Sequence, residues 1–159
     1  MALAGSVRPS NFTAKALALV SDEIGRHRDI SLQVVDPATL ALPLPGTGAG
    51  SDQARALQDA VREATGVVLA TPEYHGSFSS VIKLIIENLG FPSVLKGKPV
   101  ALLGVAAGEI GAIKALEHLR SVCSHIGALV LPGSVSVARV HKLFDAEGRC
   151  LDAAVEARI

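Results

Sequence analysis

The chain has 159 residues, and 15 Lys and Arg residues balance 15 Asp and Glu residues, so the formal net charge is zero. This length fits one domain over residues 1–159 that buries its own core, and we predict no internal boundary. The neutral balance gives no electrostatic reason to expect a nucleic acid or a membrane surface as partner, and it disfavours an electron carrier that uses an acidic face.

The first half of the chain predicts two strand–helix units and then a buried strand. A strand of four residues at most precedes Gly5, so either the sheet accommodates a short first strand or the native chain begins upstream of Met1. A helix follows over residues 11–26, a strand over 31–35, and a loop rich in proline and glycine over 37–50. Ser51 is then an N-cap residue for the second helix. The uninterrupted apolar run at 66–70 is typical of a strand buried on both faces of a parallel sheet.

The second half continues the alternation of strands and helices. We predict a loop over residues 71–77, a strongly apolar helix over 78–89, strands over 99–104 and 128–131, a loop over 105–111 and a helix over 113–126. A turn at 144–148 precedes a short last helix. Five strands that alternate with helices predict an α/β fold, a doubly wound five-stranded parallel sheet between two helical layers.

The loop that leaves the first strand has the composition of an anion site. Ligands of open α/β sheets bind beyond the carboxyl ends of the strands. Short polar side chains and one positive charge come together here, in Ser6, Arg8, Ser10, Asn11 and Thr13. The GxGxxG and GK[ST] patterns are absent, so a terminal monophosphate at the helix N-terminus fits better than a pyrophosphate. Helix capping by Ser10 or Asn11, beside a solvated arginine, explains the local sequence equally well.

The loops after the third and fourth strands are suited to a flat heterocycle. The candidate contacts are Pro72, Glu73, Tyr74, His75, Gly76 and Ser77 in one loop and Ala106 and Gly108 in the other. Main-chain amides near Gly76 and the ring of Tyr74 would bracket such a ligand, although packing of Tyr74 at a subunit contact and a plain connecting role for the second loop stay open. His75 has no nucleophile or carboxylate at triad spacing, so we interpret it as a hydrogen-bonding loop residue rather than an acid or base.

The helix predicted over residues 78–89 is apolar around most of its circumference. Its apolar residues are Val81, Ile82, Leu84, Ile85, Ile86 and Leu89. A helix of this kind needs cover on more than its sheet side, so we predict a homodimer or homotetramer whose interface includes this helix.

Cysteine and histidine placement gives no indication of a metal centre. Cys123 lies on the apolar stripe of its predicted helix and is interpreted as a core residue, and Cys150 is distant in the sequence. We expect no secretory leader before Gly5 and no bilayer-spanning segment, which predicts a cytoplasmic protein.

Two motifs together resemble a known family. The Gly-Ser-x-Arg sequence at residues 5–8 follows the first strand, and Thr-Pro-Glu-Tyr-x-Gly-Ser at 71–77 follows the third. With Gly-Lys-Pro-Val at 97–100 and Phe-Asp-x-x-Gly at 144–148, they resemble the NADPH-dependent FMN reductase family of flavodoxin-like proteins, whose members include quinone, azo-dye and chromate reductases. The resemblance covers nearly the whole chain.

This resemblance implies an oxidoreductase that passes a hydride from NADPH or NADH to FMN and on to a quinone, free flavin or other small acceptor, without a protein acid or base. Residues 6, 8, 11 and 13, with Ser10 nearby, would hold the phosphate, and residues 72–76 would line the ring. The chain departs from the family at His75, commonly Asn, at Ser79-Ser80, commonly Pro-Gly, and at Ala106, often Ser.

Three functional classes are therefore compared. The first is the reductase. The second is a flavin-binding redox sensor or interaction protein with little turnover, because one fold serves many functions. The third is a phosphosugar or nucleotide-binding enzyme, which would need Glu73 and His75 as its acid/base pair.

Overall fold

A computed structural model describes residues 1–47 and 51–159, so the last three residues of the predicted loop over 37–50 lie outside the described residues. Strands β1 to β7 are Ala2–Ala4, Val34–Val35, Val67–Tyr74, Ser77–Phe78, Pro99–Val105, Leu129–Val130 and Val135–Val137. Helices α1 to α5 are Phe12–Ile24, Asp52–Glu63, Ser80–Glu87, Ile113–His125 and Ala153–Glu156, with short 3-10 turns at Pro37–Thr39 and Val140–Lys142.

The sheet has the order β2-β1-β3-β5-β6, and neighbouring strands along this path are parallel. Strand β7 also pairs in parallel with β5, so β6 and β7 together occupy the fifth position. Pro132 and Gly133 separate the two pieces, because proline has no N–H for the ladder and Gly133 adopts φ 76°. The predicted parallel sheet is confirmed, with its fifth strand in two segments.

Strand β3 is longer than the sequence predicted. Thr71 and Pro72 continue the ladder beside Gly104 and Val105, and β4 then folds back antiparallel to the end of β3. The prediction of an irregular loop over residues 71–77 was therefore wrong. At the turn, His75 has φ 51° and Gly76 has φ 74°, and a two-residue hairpin of the I′ kind needs positive φ at both positions.

Strand β2 and the end of the fifth strand are shorter than predicted. The second strand is Val34–Val35 rather than 31–35, because the ladder joins only these residues to Ala2 and Leu3 of β1. The strand predicted over 128–131 is Leu129–Val130, and it ends just before the proline and glycine.

Helix α3 begins later than predicted and is covered largely by its own chain. Ser79 is its N-cap, so the helix is Ser80–Glu87 rather than 78–89. The side chains of Ile82, Ile85 and Ile86 are buried, and Val81 and Leu84 are half-buried. The monomer therefore already covers much of the apolar surface that prompted the oligomer prediction, and that oligomer stays a prediction.

Each face of the sheet carries an apolar cluster. On one face α1 and the segment after β7 cover β1, β3 and β5, with Leu17 and Val137 buried between them. On the other face α2, α3 and α4 pack around Leu69 and Leu119. Cys123 is buried in this second cluster, as predicted, and burial raises the pKa of its thiol to about 11. Across the two described stretches, no helix is long and apolar enough to cross a membrane.

Candidate functional site

A cavity of about 500 Å³ lies at the carboxyl ends of the strands, where the end of β3 meets the segments after β1, β5 and β7. Its volume falls in the usual range of small-molecule sites, roughly 300–1,000 Å³. The predicted residues that line it are Ser6, Arg8, Ser10, Asn11, Thr13, Pro72, Glu73, Tyr74 and Ala106. The structure therefore brings the first predicted loop and the hairpin strand to one cavity.

The chain leaves β1 through a turn that is fixed by its own hydrogen bonds. Asn11 Oδ1 accepts a hydrogen bond from the N–H of Ala14 at 2.8 Å, and Asn11 Nδ2 donates to the carbonyl of Arg8 at 2.8 Å. Asn11 is thus the N-cap of α1, as one of the two sequence interpretations proposed, whereas Ser10 lies in the turn with φ 50°. Capping and ligand binding are compatible, because the cap engages the N–H of Ala14 while Phe12 and Thr13 of the first turn line the cavity.

Thr13 has an unusual environment for a buried polar side chain. The residue is 1% exposed, and its Oγ1 has no hydrogen-bond partner within the described chain. A buried hydroxyl without a partner costs about 1–3 kcal/mol, and such groups are rare in folded proteins. Thr13 is also one of the residues that line the cavity.

Arg8 supplies the positive charge at the same end of the cavity. Its main-chain atoms form two hydrogen bonds, with its N–H donating to Ser6 Oγ at 3.4 Å and its carbonyl accepting from Asn11. Over residues 1–47 and 51–159, no carboxylate pairs with its exposed guanidinium. Arginine, hydroxyl and helix N-terminus together suit an anion such as a phosphate.

Glu73 has a structural role that the sequence did not indicate. Its Oε2 accepts a hydrogen bond from the N–H of Ala115 at 3.0 Å, in the first turn of α4. The N-cap position of α4 is Ala112, which has no side chain to cap with, so Glu73 replaces the missing cap and places negative charge at the helix N-terminus. This engagement argues against Glu73 as the free acid or base of a phosphosugar enzyme.

The apolar wall of the cavity comes from the loop after β5 and the turn after β7. Ala106 is 8% exposed, its N–H donates to the carbonyl of Val137 at 2.9 Å, and its carbonyl accepts from the N–H of Val140 at 3.0 Å. These bonds hold Val140 against the cavity. The sequence prediction missed the lining residues Pro9, Phe12, Val105, Ala107 and Val140. The loop after β7 was detectable in principle, since it also follows a strand carboxyl end.

The remaining predicted residues lie beside the cavity rather than in its wall: His75, Gly76, Ser77 and Gly108. His75 and Gly76 form the turn of the hairpin, next to Tyr74, which is 39% exposed at the cavity. Ser77 Oγ lies 3.0 Å from Nδ1 of His118 on α4, which ties the hairpin to that helix. No group of metal-binding side chains occurs in the part of the chain that the structure describes.

Comparison with known sequences gives consistent matches. The profile of the family described as NADPH-dependent FMN reductase matches residues 1–142. A 2-hydroxy-1,4-benzoquinone reductase of a Burkholderia species is 34% identical over 136 residues, covering 80% of this chain and 70% of the relative. An NAD(P)H-dependent FMN reductase of Pseudomonas aeruginosa is 35% identical over 98 residues, covering 60% of this chain and 53% of the relative. The chain thus spans between about half and 70% of these relatives.

Solved structures show the same fold. The flavoenzyme NAD(P)H:(acceptor) oxidoreductase FerB from Paracoccus denitrificans superposes with a TM-score of 0.80 at 22% identity, covering 98% of this chain and 90% of the other. A flavodoxin from Megasphaera elsdenii superposes with a TM-score of 0.65 at 15% identity, covering 99% and 92%.

Proposed function

Because this chain belongs to the NADPH-dependent FMN reductase family, we propose that it binds FMN in the cavity at the strand carboxyl ends, reduces it with NADPH or NADH, and passes the electrons to a small acceptor. The predicted family, flavodoxin-like fold and class of NAD(P)H-dependent FMN reductase are confirmed. Which residues of this chain hold the cofactor belongs to the proposal.

The observation that carries the assignment is the unpartnered hydroxyl of Thr13 at the N-terminus of α1. A phosphate oxygen would accept its hydrogen bond and remove the cost of burying it. Ser6 would contribute a second hydroxyl, Arg8 a charge-assisted contact, and the first N–H groups of α1 further donors. The donor set fits a monophosphate group.

The ring of FMN would lie toward the hairpin and the apolar wall. Pro72 and Tyr74 would contact it from one side, and Ala106, Ala107 and Val140 would exclude water from the other. FMN supplies the chemistry when bound, accepting a hydride from the nicotinamide and delivering electrons to the acceptor, and the protein supplies binding and orientation. Glu73 stays engaged with α4, and the proposed hydride transfer uses no acid or base of this chain.

The acceptor class and the assembly state are also proposals. A quinone, an azo compound or free flavin fits the relatives, two of which are named as a benzoquinone reductase and an azoreductase. A homodimer or homotetramer through residues 78–89, a cytoplasmic location and a single domain over residues 1–159 stay predictions. Val81 and Leu84, half-buried on α3, are the side chains that a second copy would cover.

The test combines binding and turnover. FMN is titrated into the purified protein and followed by flavin fluorescence, and the complex is then mixed anaerobically with NADPH or NADH in a stopped-flow absorbance instrument. We expect saturable binding and rapid bleaching of the flavin band. A protein that binds no FMN would refute the assignment, and one that binds FMN without bleaching would be the redox sensor or interaction protein instead.

A further inference from the structure

Ser79 connects two parts of the molecule that are far apart in sequence. Its Oγ donates a hydrogen bond to the carbonyl of Gly5 at 2.6 Å and accepts one from the N–H of Ile82 at 3.1 Å. Its own N–H donates to Thr71 Oγ1 at 3.0 Å. The residue is 2% exposed and does not line the 500 Å³ cavity. Both capabilities of its hydroxyl, donor and acceptor, are therefore used.

Helix capping explains only one of these bonds. Ser51 caps α2 in the same way, with Oγ accepting from the N–H of Ala54 at 3.1 Å, but its hydroxyl turns to the nearby carbonyl of Ala41 at 3.3 Å in an exposed setting. The hydroxyl of Ser79 instead reaches the end of β1, 74 positions away. A buried serine thus joins the start of α3 to the start of the loop after β1.

The bond to Gly5 fixes the first peptide of that loop. The Gly5–Ser6 peptide is planar, so holding its carbonyl also sets the direction of the Ser6 N–H and the path of the chain into Ser6. Ser6 is 4% exposed and lines the cavity, and its Oγ accepts the N–H of Arg8. Gly5 has no room for a side chain, because a Cβ there would lie 2.6 Å from the carbonyl oxygen of Ala70.

A second bond extends this link to the hairpin. Thr71 Oγ1, which accepts the Ser79 N–H, donates to the carbonyl of Pro72 at 2.9 Å. Pro72 is one of the residues that line the cavity. The same buried serine therefore contacts both segments that the ligand would bridge.

We propose that Ser79 is a positioning residue for the monophosphate site: its hydroxyl holds the Gly5–Ser6 peptide in the orientation that lets Ser6, Arg8 and the N-terminus of α1 bind a phosphate group. This inference rests on the proposed FMN function. If Ser79 has this role, loss of its hydroxyl weakens the binding of FMN, which carries the phosphate, more than the binding of a flavin without the phosphate.

The test compares FMN with riboflavin, which lacks the phosphate, in the full-length chain. Dissociation constants for both flavins are measured by fluorescence titration for the wild type, Ser79→Ala, Ser79→Gly and Ser79→Thr. Gly is a tolerable N-cap, so Ser79→Gly removes the hydroxyl with little loss of capping, and Ser79→Thr keeps the hydroxyl. Ser51→Ala removes a serine cap remote from the cavity and is the matched control. Thermal unfolding without flavin monitors folding of each variant.

We expect Ser79→Ala and Ser79→Gly to bind FMN about tenfold more weakly, with less than a threefold change for riboflavin. Ser79→Thr should recover most of the FMN affinity, and Ser51→Ala should lower the melting temperature without changing either flavin constant. Equal losses for both flavins, or unchanged FMN binding in Ser79→Gly, would overturn the positioning role. If the wild type binds no FMN, the proposed function itself fails, which is a different and recognisable result.

Discussion

Cavities lie at both ends of the sheet, and the larger one is the poorer candidate for a site. The cavity at the strand carboxyl ends measures about 500 Å³, and the one at the amino ends about 700 Å³. The larger cavity is lined mainly by aliphatic side chains such as Ile24, Val68 and Leu131. The main-chain nitrogen of Met1, a residue that also lines this cavity, donates a hydrogen bond to the carbonyl of Gly66 at 3.0 Å.

The difference is in the polar groups rather than in size. The smaller cavity contains an arginine with no carboxylate partner, a helix N-terminus and the buried Thr13 hydroxyl, which is the one side-chain polar atom of the described residues found buried without a partner. Unsatisfied groups that converge on a cavity indicate a ligand, whereas an aliphatic groove indicates incomplete packing of the sheet face. Substitutions at the two ends of the sheet should therefore differ in their effect on FMN affinity.

The largest change in FMN affinity is expected for a substitution of Arg8. We expect Arg8→Gln to weaken FMN binding by about 10- to 100-fold, because it removes a charge-assisted contact to the phosphate. The loss should shrink as salt is added, since the site is partly exposed. Fluorescence titrations at low and high ionic strength measure both effects.

Arg28→Gln is the control for total charge, because Arg28 is exposed and adjoins Asp29 and Ile30 of the larger cavity. It should leave FMN affinity unchanged. A loss equal to that of Arg8→Gln would mean that FMN responds to the charge of the whole protein rather than to this end of the sheet.

Thr13→Val should change binding and stability in opposite directions. Removing an unpartnered buried hydroxyl should raise the free energy of unfolding without flavin by about 1 kcal/mol, and FMN affinity should fall about tenfold. Urea denaturation and FMN titration measure the two quantities.

Thr71→Val provides the contrast for Thr13, because Thr71 is equally buried but both accepts and donates a hydrogen bond. It should lower the free energy of unfolding by about 1–2 kcal/mol. If Thr13→Val is also destabilising, the Thr13 hydroxyl has a partner in solution and the main argument for the phosphate site is lost.

Val68→Ala tests the larger cavity. It removes two methyl groups from the half-buried wall of that groove, so we expect a loss of about 1–1.5 kcal/mol in the free energy of unfolding. FMN affinity should not change. A tighter or weaker FMN complex in this variant would indicate that the two ends of the sheet are coupled.

The smallest effect is expected for Glu73→Gln. The amide oxygen can still accept the N–H of Ala115, so only the interaction of the charge with the α4 dipole is lost, about 0.3–1 kcal/mol of stability. The rate of flavin bleaching by NADPH and its pH profile should be unchanged. A large fall in that rate would instead make Glu73 a proton-transfer group.

Much of the candidate site was predictable because strand ends can be located from local pattern. The first loop and the residues from Pro72 to Tyr74 lie at one cavity, since parallel strands bring their carboxyl ends together, and their role in binding a cofactor stays a prediction. The hairpin turn was mistaken for part of an irregular loop. The end of β3 is extended because it pairs with β5 on one side and β4 on the other, and the local sequence does not specify the register of these pairings.

The alternation of strands and helices and the two motifs that resemble the family can be recognised without a structure, because they depend on residues close together in the chain. Which polar groups are free and which are occupied depends on the folded chain. Glu73 is engaged by a helix residue 42 positions away and Ser79 by a loop residue 74 positions away, whereas Thr13 is buried with no partner among the described residues. Hydrogen-bond satisfaction depends on the contacts between distant segments, and only the folded chain brings those segments together.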